Sequence, residues 1–171
     1  ALDELFAQAA QMLNMKDVEH KVFPRQMVFN LLPHCGSIKE EGWTTEELKI
    51  LQETRKILGE PDLPVVATCV RVPVFVSHSE AVFVELENPL SPEQARKLWA
   101  GFPGVVVLDD LAAGVYPVPI EAAGKDEVFV GRVRQDPSVE HGLCFWVVSD
   151  NLRKGAATNA VQIAERLVEM W

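Results

Sequence analysis

The sequence predicts an α+β fold, a mostly antiparallel or mixed sheet with helices on one face. Two helices are announced by their caps, Thr44 with Glu47 and Ser91 with Gln94, each an N-cap side chain answered three residues later. Two late runs, Glu127–Arg134 and Gly142–Val148, carry β-branched and aromatic residues and are joined by a short polar connection, the pattern of an antiparallel pair. No regular crossover helix separates successive strands, which disfavours a doubly wound parallel sheet.

Taken in order, residues 1–14 place Leu2, Leu5, Phe6, Ala9, Ala10 and Leu13 at helical spacing and predict a first helix. The chain begins Ala1-Leu2-Asp3 without Met or leader, and the expectation is a chain cut from something longer. Met27–Leu32 is a short apolar run ended by Pro33 and predicts a strand, followed by the loop Pro33–Ser37. The Thr44 cap predicts a helix to about Leu58, stopped by Gly59 and Pro61, with Leu48, Leu51, Ile57 and Leu58 on its buried side. Ala67–His78 predicts a buried or half-buried strand, and Glu80–Glu87 an alternating one. Pro92 to about Ala100 is the second capped helix, and Val105–Leu108 a buried strand. Leu111–Lys125 predicts an ordered connection with little regular structure. Asp150 and Asn151 then cap a last helix from Leu152 to about Met170, with Leu152, Ala156, Ala160, Ile163, Leu167 and Met170 as its packed stripe.

The 171 residues are one domain's worth of chain, and a single domain over 1–171 is expected. A formal charge of −9 argues against a nucleic-acid partner, and no apolar run is long enough to span a membrane. Cys35, Cys69 and Cys144 are odd in number and lack metal-ligand spacing, so a reduced, cytoplasmic protein without a structural metal is expected. Cys35 beside His34 invites a thiol-nucleophile reading, but adjacent side chains seldom face one another and free Cys is more often a small core hydrophobe.

Chemistry concentrates in Ala67–His78. An Arg inside an apolar run needs an internal ion pair, a reach to the sheet edge, or an anion to hold, because buried guanidinium without a partner is costly. His78 is an acid–base candidate, since its unperturbed pKa lies near neutrality. Seven residues of straight strand would separate Arg71 from His78 by roughly 23 Å. Cooperation between them therefore requires a bend, and Pro73 is suited to one. Glu46 and Lys49, three apart on a helix, read by periodicity as a surface couple. There is no phosphate-binding glycine loop and no nucleophile elbow.

Four separated motifs nevertheless share one order and spacing: Asn30–His34, Glu46–Lys49, Cys69–Val74 with His78 and Ser79 beyond it, and Ser149–Ala157. Together they resemble the C-terminal half of bacterial aspartate-β-semialdehyde dehydrogenases, from about Val22 to Glu165. The resemblance implies a catalytic and dimerisation domain similar to that of glyceraldehyde-3-phosphate dehydrogenase. It implies a homodimer formed through the sheet, and a separate N-terminal Rossmann domain against which the last helix, about 151–170, packs. The implied reaction is reversible conversion of β-aspartyl phosphate and NADPH to aspartate semialdehyde, phosphate and NADP, in lysine, threonine and methionine biosynthesis. By the same resemblance Arg71 holds the substrate α-carboxylate and Glu46 its amino group. Lys49 binds phosphate, His78 is the acid–base catalyst, and Asn151 contacts the nicotinamide nucleotide. The family's nucleophilic Cys lies N-terminal to this region, and neither Cys35 nor Cys69 matches its motif, so the 171 residues alone are expected to be inactive. Two alternatives accompany this reading: a non-catalytic dimerisation or binding relative, and an N-acetyl-glutamyl-phosphate reductase, against which an amine partner at Glu46 argues.

Overall fold

A computed structural model describes all residues from Ala1 to Trp171. Its contacts gather into two compact units, Ala1–Phe75 and Val76–Trp171.

The first unit holds α1 (Leu2–Leu13) and α2 (Thr45–Leu58), joined and followed by irregular chain. Its small core is Leu5, Met27, Val28 and Leu32, with Ala9 and Phe23 against it. The predicted strand at Met27–Leu32 is absent. Its amides are taken by a side chain from α1: Gln8 Oε1 accepts from Met27 N–H at 2.9 Å and Val28 N–H at 3.1 Å. Phe29 then turns at φ 54°, and only Leu32 makes a bridge, to Arg71. One helical face thus replaces a ladder. Glu4, one turn before Gln8, accepts from Lys21, Val22 and Phe23 N–H. Most of the apolar stripe expected on α1 is uncovered, with Leu2, Phe6 and Leu13 exposed. On α2, Leu48 and Leu51 are half-buried, Ile57 and Leu58 are exposed, and the residue it buries is Glu47.

The segment 63–70 alternates half-buried Leu63, Val65, Ala67 and Cys69 with exposed neighbours, the period-two burial of a strand. It joins no ladder, however, and Arg71 at its end is exposed rather than buried. The chain bends after it: Val74 N–H donates back to Val72 O at 2.8 Å, and Ser77 takes φ 73°. The straight strand from Ala67 to His78 is therefore not formed.

The second unit is built on a four-stranded sheet in the order β1-β4-β3-β2: β1 (His78–Glu85), β2 (Val105–Val107), β3 (Val128–Asp136) and β4 (Gly142–Ser149). β4 pairs antiparallel with both β1 and β3, whereas β2 and β3 are parallel, so the sheet is mixed and mostly antiparallel as expected. Helix α3 (Pro92–Ala100) lays Ala95 and Trp99 on Val130, Val133, Leu143 and Phe145 of one face. The other face carries Phe129, Trp146 and Val148 under Ala122 of the one-turn helix α4 (Pro119–Ala122), a short regular element within the 111–125 connection. A Cβ on Gly131 would collide with Leu108 O and Pro117 Cδ, so glycine permits the connection to lie this close to the sheet.

The last helix begins irregularly, with a π-helical turn at Arg153–Ala157 leading into α5 (Thr158–Glu169). Asp150 caps it as expected, its Oδ1 accepting from Leu152 and Arg153 N–H while Oδ2 holds Gly124 N–H at 2.7 Å. The stripe expected to be packed is exposed within this chain at Leu152, Ile163, Leu167 and Met170. No helix is long and apolar enough to cross a membrane.

Candidate functional site

In the first unit the candidate groups surround the start of α2. Thr44 Oγ1 accepts from Glu47 N–H, and Glu47 Oε2 accepts from Thr44 N–H at 2.9 Å, closing the capping box. Ser37 and Thr45 exchange hydrogen bonds, Ser37 N–H to Thr45 Oγ1 at 3.1 Å and Thr45 N–H to Ser37 O at 2.9 Å, which seat the 33–37 loop against this helix end. Gly36 makes the approach feasible, since it takes φ 82° and a Cβ there would strike Thr45 Oγ1.

Glu47 does more than cap. Its second oxygen, Oε1, accepts from Cys69 N–H at 2.9 Å, tying the extended segment to α2 two residues before Arg71. These backbone donors hold its carboxyl below the usual range. Arg71 is fixed again by a reciprocal pair with the buried Leu32, N–H to O at 2.9 Å and O from N–H at 3.0 Å. The main chain of Arg71 is thus anchored on both sides, while no carboxylate pairs with its guanidinium, whose Cζ rests 6.0 Å from the Phe23 ring centroid. The internal ion pair offered as one explanation for this Arg is not formed, and its side chain is exposed.

Lys49 Nζ and Glu46 Oε1 meet at 3.0 Å on the exposed side of the same helix turn, and Glu46 raises the lysine pKa. Burial pushes the Cys35 thiol up; Arg71 opposes that shift, while Glu46 and Glu47 add to it. Cys35 therefore lies within electrostatic reach of all three, and its raised pKa makes it a poor nucleophile. Glu46, Lys49 and Arg71 belong to this one unit.

His78 and Asn151 belong to the second. His78 is the exposed first residue of β1, opposite Ser149 on β4. The turn before it is held at two points: Ser77 N–H donates to Asn151 Oδ1 at 2.9 Å, and Ser77 Oγ donates to Pro119 O at 3.0 Å. Ser77 is buried although its φ is positive, a conformation that persists where surroundings dictate it. Asn151 Nδ2 donates to no group of this chain.

The dimerisation-domain model of semialdehyde dehydrogenases matches residues 1–154. The chain belongs to that family. An aspartate-semialdehyde dehydrogenase of Aquifex aeolicus is 56% identical over 147 residues, which are 86% of this chain and 43% of that protein. A crystal structure of aspartate semialdehyde dehydrogenase II from Vibrio cholerae, complexed with ASA, superposes with a TM-score of 0.93 at 45% identity, over 98% of this chain and 49% of that one. A more distant structure, the Candida albicans enzyme with NADP, gives a TM-score of 0.64 at 27% identity over 80% of this chain and 43% of that one. The chain spans about half the length of the curated relatives it matches.

Sequence reasoning missed Glu47 and Ser77 as supports of the family's candidate residues. The capping box identified one oxygen of Glu47 but nothing in the local pattern pointed its other oxygen at Cys69. Ser77 carried no signal beyond preceding His78.

Proposed function

We propose that these residues form the substrate-handling and dimerisation half of an aspartate-semialdehyde dehydrogenase, which interconverts β-aspartyl phosphate and aspartate semialdehyde with NADP and phosphate. The observation that carries the reading is Arg71: an exposed guanidinium with its backbone fixed on Leu32 and on the Glu47-anchored segment, and no carboxylate of the chain to neutralise it. Membership of a dimerisation-domain family and the identity to named aspartate-semialdehyde dehydrogenases support it.

Arg71 binds the substrate α-carboxylate through its planar fork, and Glu46 binds the amino group. Lys49, a compact charge on a flexible stem, binds the phosphate that enters or leaves. The Glu46–Lys49 ion pair is exposed and opens at little cost when a ligand offers each partner a better one. His78 takes the proton of an attacking thiol and returns it, a contribution of order 10²–10⁴-fold. That thiol lies N-terminal to this region, and a separate Rossmann domain supplies the bulk of the nucleotide site. NADP, when bound, supplies or accepts the hydride. Asn151 fits a part in holding its carboxamide, because Oδ1 is occupied by Ser77 while Nδ2 is free to donate. The protein acts as a homodimer joined through the sheet, in the cytoplasm.

Co-expression of these residues with the Rossmann domain of a relative, followed by phosphate-dependent reduction of NADP with aspartate semialdehyde, tests the reading. Activity that falls about 10²-fold or more in His78→Asn is the expected result; unchanged turnover in that variant removes His78 from the reaction.

A further inference from the structure

Strand β3 contains a bulge whose chemistry the proposed reaction does not use. Gly131 lies opposite Trp146 and Arg134 opposite Cys144, so Arg132 and Val133 together face a single residue of β4. Arg132 takes φ 56°. The two bulge amides donate to one carboxylate, Arg132 N–H to Asp109 Oδ1 at 2.7 Å and Val133 N–H to Oδ2 at 3.2 Å. Arg96 of α3 completes the knot, with Nε on Asp109 Oδ2 at 2.6 Å and Nη2 on Val133 O at 2.7 Å. The Asp109 side chain is only 5% exposed, and both its oxygens are spent.

The knot leaves charge over. Arg96, Arg132 and Arg134 line one open cavity of about 210 Å³ with Asp109, Leu111 and Val133. Three guanidiniums line the cavity beside one carboxylate, and Asp136, within electrostatic reach of Arg134, offsets part of that excess, on a chain of formal charge −9. Arg134 Nη1 donates to Arg132 O at 3.0 Å, while the Arg132 guanidinium has no acceptor in the chain. Fold stability needs an acceptor for the bulge amides, which Asp109 provides; it does not need two further arginines beside it. Free N–H groups remain on all three forks, and planar forks of this kind match tetrahedral oxyanions bidentately. We propose that this cavity is a binding site for a small phosphate-class dianion, inorganic phosphate or a phosphate monoester. The apolar edge at Leu111 tolerates a small organic group on the latter.

The test is a phosphate titration at constant ionic strength, followed through the Nε–H signals of protein labelled with 15N-arginine, with chloride as the control anion. Saturable shifts at Arg132 and Arg134 are expected, with a dissociation constant on the order of 1 mM or tighter. The double variant R132Q/R134Q is expected to weaken phosphate at least about tenfold at the remaining Arg96 signal. Lys49→Gln is expected to leave the shifts unchanged, which separates this site from the phosphate role proposed for Lys49. Glucose 6-phosphate in place of phosphate distinguishes a monoester site from one that admits only the free ion. Shifts that chloride reproduces, or that never saturate, overturn the proposal. So does a double variant whose only change is a lower assembly mass by native mass spectrometry, since the arginines would then be meeting carboxylates of a second copy.

Discussion

The two units are stabilised by different means. In Val76–Trp171 the backbone satisfies itself: four strands share ladders, and the side chains of Ala95, Val130, Leu143 and Val148 are released to pack two apolar clusters. In Ala1–Phe75 side chains satisfy the backbone. Gln8, fully buried, accepts from Met27 and Val28 and donates to Glu19 O; Glu4 and Glu47 collect further main-chain amides. The difference teaches where an irregular chain gets its precision. Buried polar groups must be paired, and where no ladder exists, one misplaced acceptor frees several donors together. The groups proposed to hold substrate lie in the unit built this way.

The sharpest break between the two is Gln8→Leu. It keeps the approximate volume but strands two buried amides and a carbonyl, at roughly 1–3 kcal/mol each, so a loss on the order of 4 kcal/mol is expected. Amide exchange should accelerate most at Met27 and Val28; equal protection there in variant and parent contradicts the polar account of this unit. In the sheet the corresponding break is apolar. Leu143→Ala, at a site 1% exposed, is expected to cost about 2–4 kcal/mol through lost contacts and a residual cavity. Its effect should be largely recovered by Leu143→Met, whereas no apolar substitute recovers Gln8. Denaturant unfolding of the three variants decides this.

A smaller effect, but one that reaches function, is expected from Glu47→Ala. The capping box is lost together with the Cys69 tie, so Arg71 is no longer held on that side. A displacement of about 1 Å at a positioned group can cost 10²-fold, and in the enzyme reconstituted with a relative's Rossmann domain a fall of about 10–100-fold in kcat/KM for aspartate semialdehyde is expected, mostly through KM. Glu47→Gln keeps one acceptor oxygen and should recover part of it. A loss equal in both variants, or one confined to kcat, would show that Glu47 does not act through Arg71.

The same contrast explains what the sequence made legible. Both capping boxes, the Gly59 stop, the Asp150 cap and the β3–β4 pair are local, written within a few residues, and the structure forms them. Met27–Leu32 has strand composition, yet its amides were claimed by a residue 19 positions earlier, a contact that no periodicity encodes. The same is true of Glu47 and Cys69, 22 apart. Apolar stripes on α1 and α5 were read from spacing, but spacing identifies a face without specifying what covers it, and most of both stripes is exposed here. Among the candidate site residues, motif order singled out Arg71 and His78; Glu47 lies inside the Glu46–Lys49 motif, but nothing there points its second oxygen at Cys69, and Ser77 belongs to none of the motifs.

The mildest prediction concerns the second unit's last helix, which is attached by charge rather than by its apolar face. Asp126 takes a bidentate pair from Arg153, Nε at 2.8 Å and Nη2 at 2.9 Å, and Thr158 Oγ1 donates to it at 2.7 Å. These donors lower its pKa from the ordinary 3.8 to about 2. A carboxyl whose folded pKa lies below its unfolded one contributes stability in full above the unfolded value and loses it as pH falls through the folded one. The contribution is therefore nearly intact above about pH 4, mostly lost by pH 2 and gone below it. The side chain is 45% exposed and solvent screens it, so the effect is small. Asp126→Asn should melt below the parent at pH 7, and the gap should close between pH 4 and 2. A gap that stays constant across that range would mean that Asp126 holds Arg153 and Thr158 by shape rather than by charge, and the latch would then resemble the neutral hydrogen bonding of Gln8 more than an ion pair.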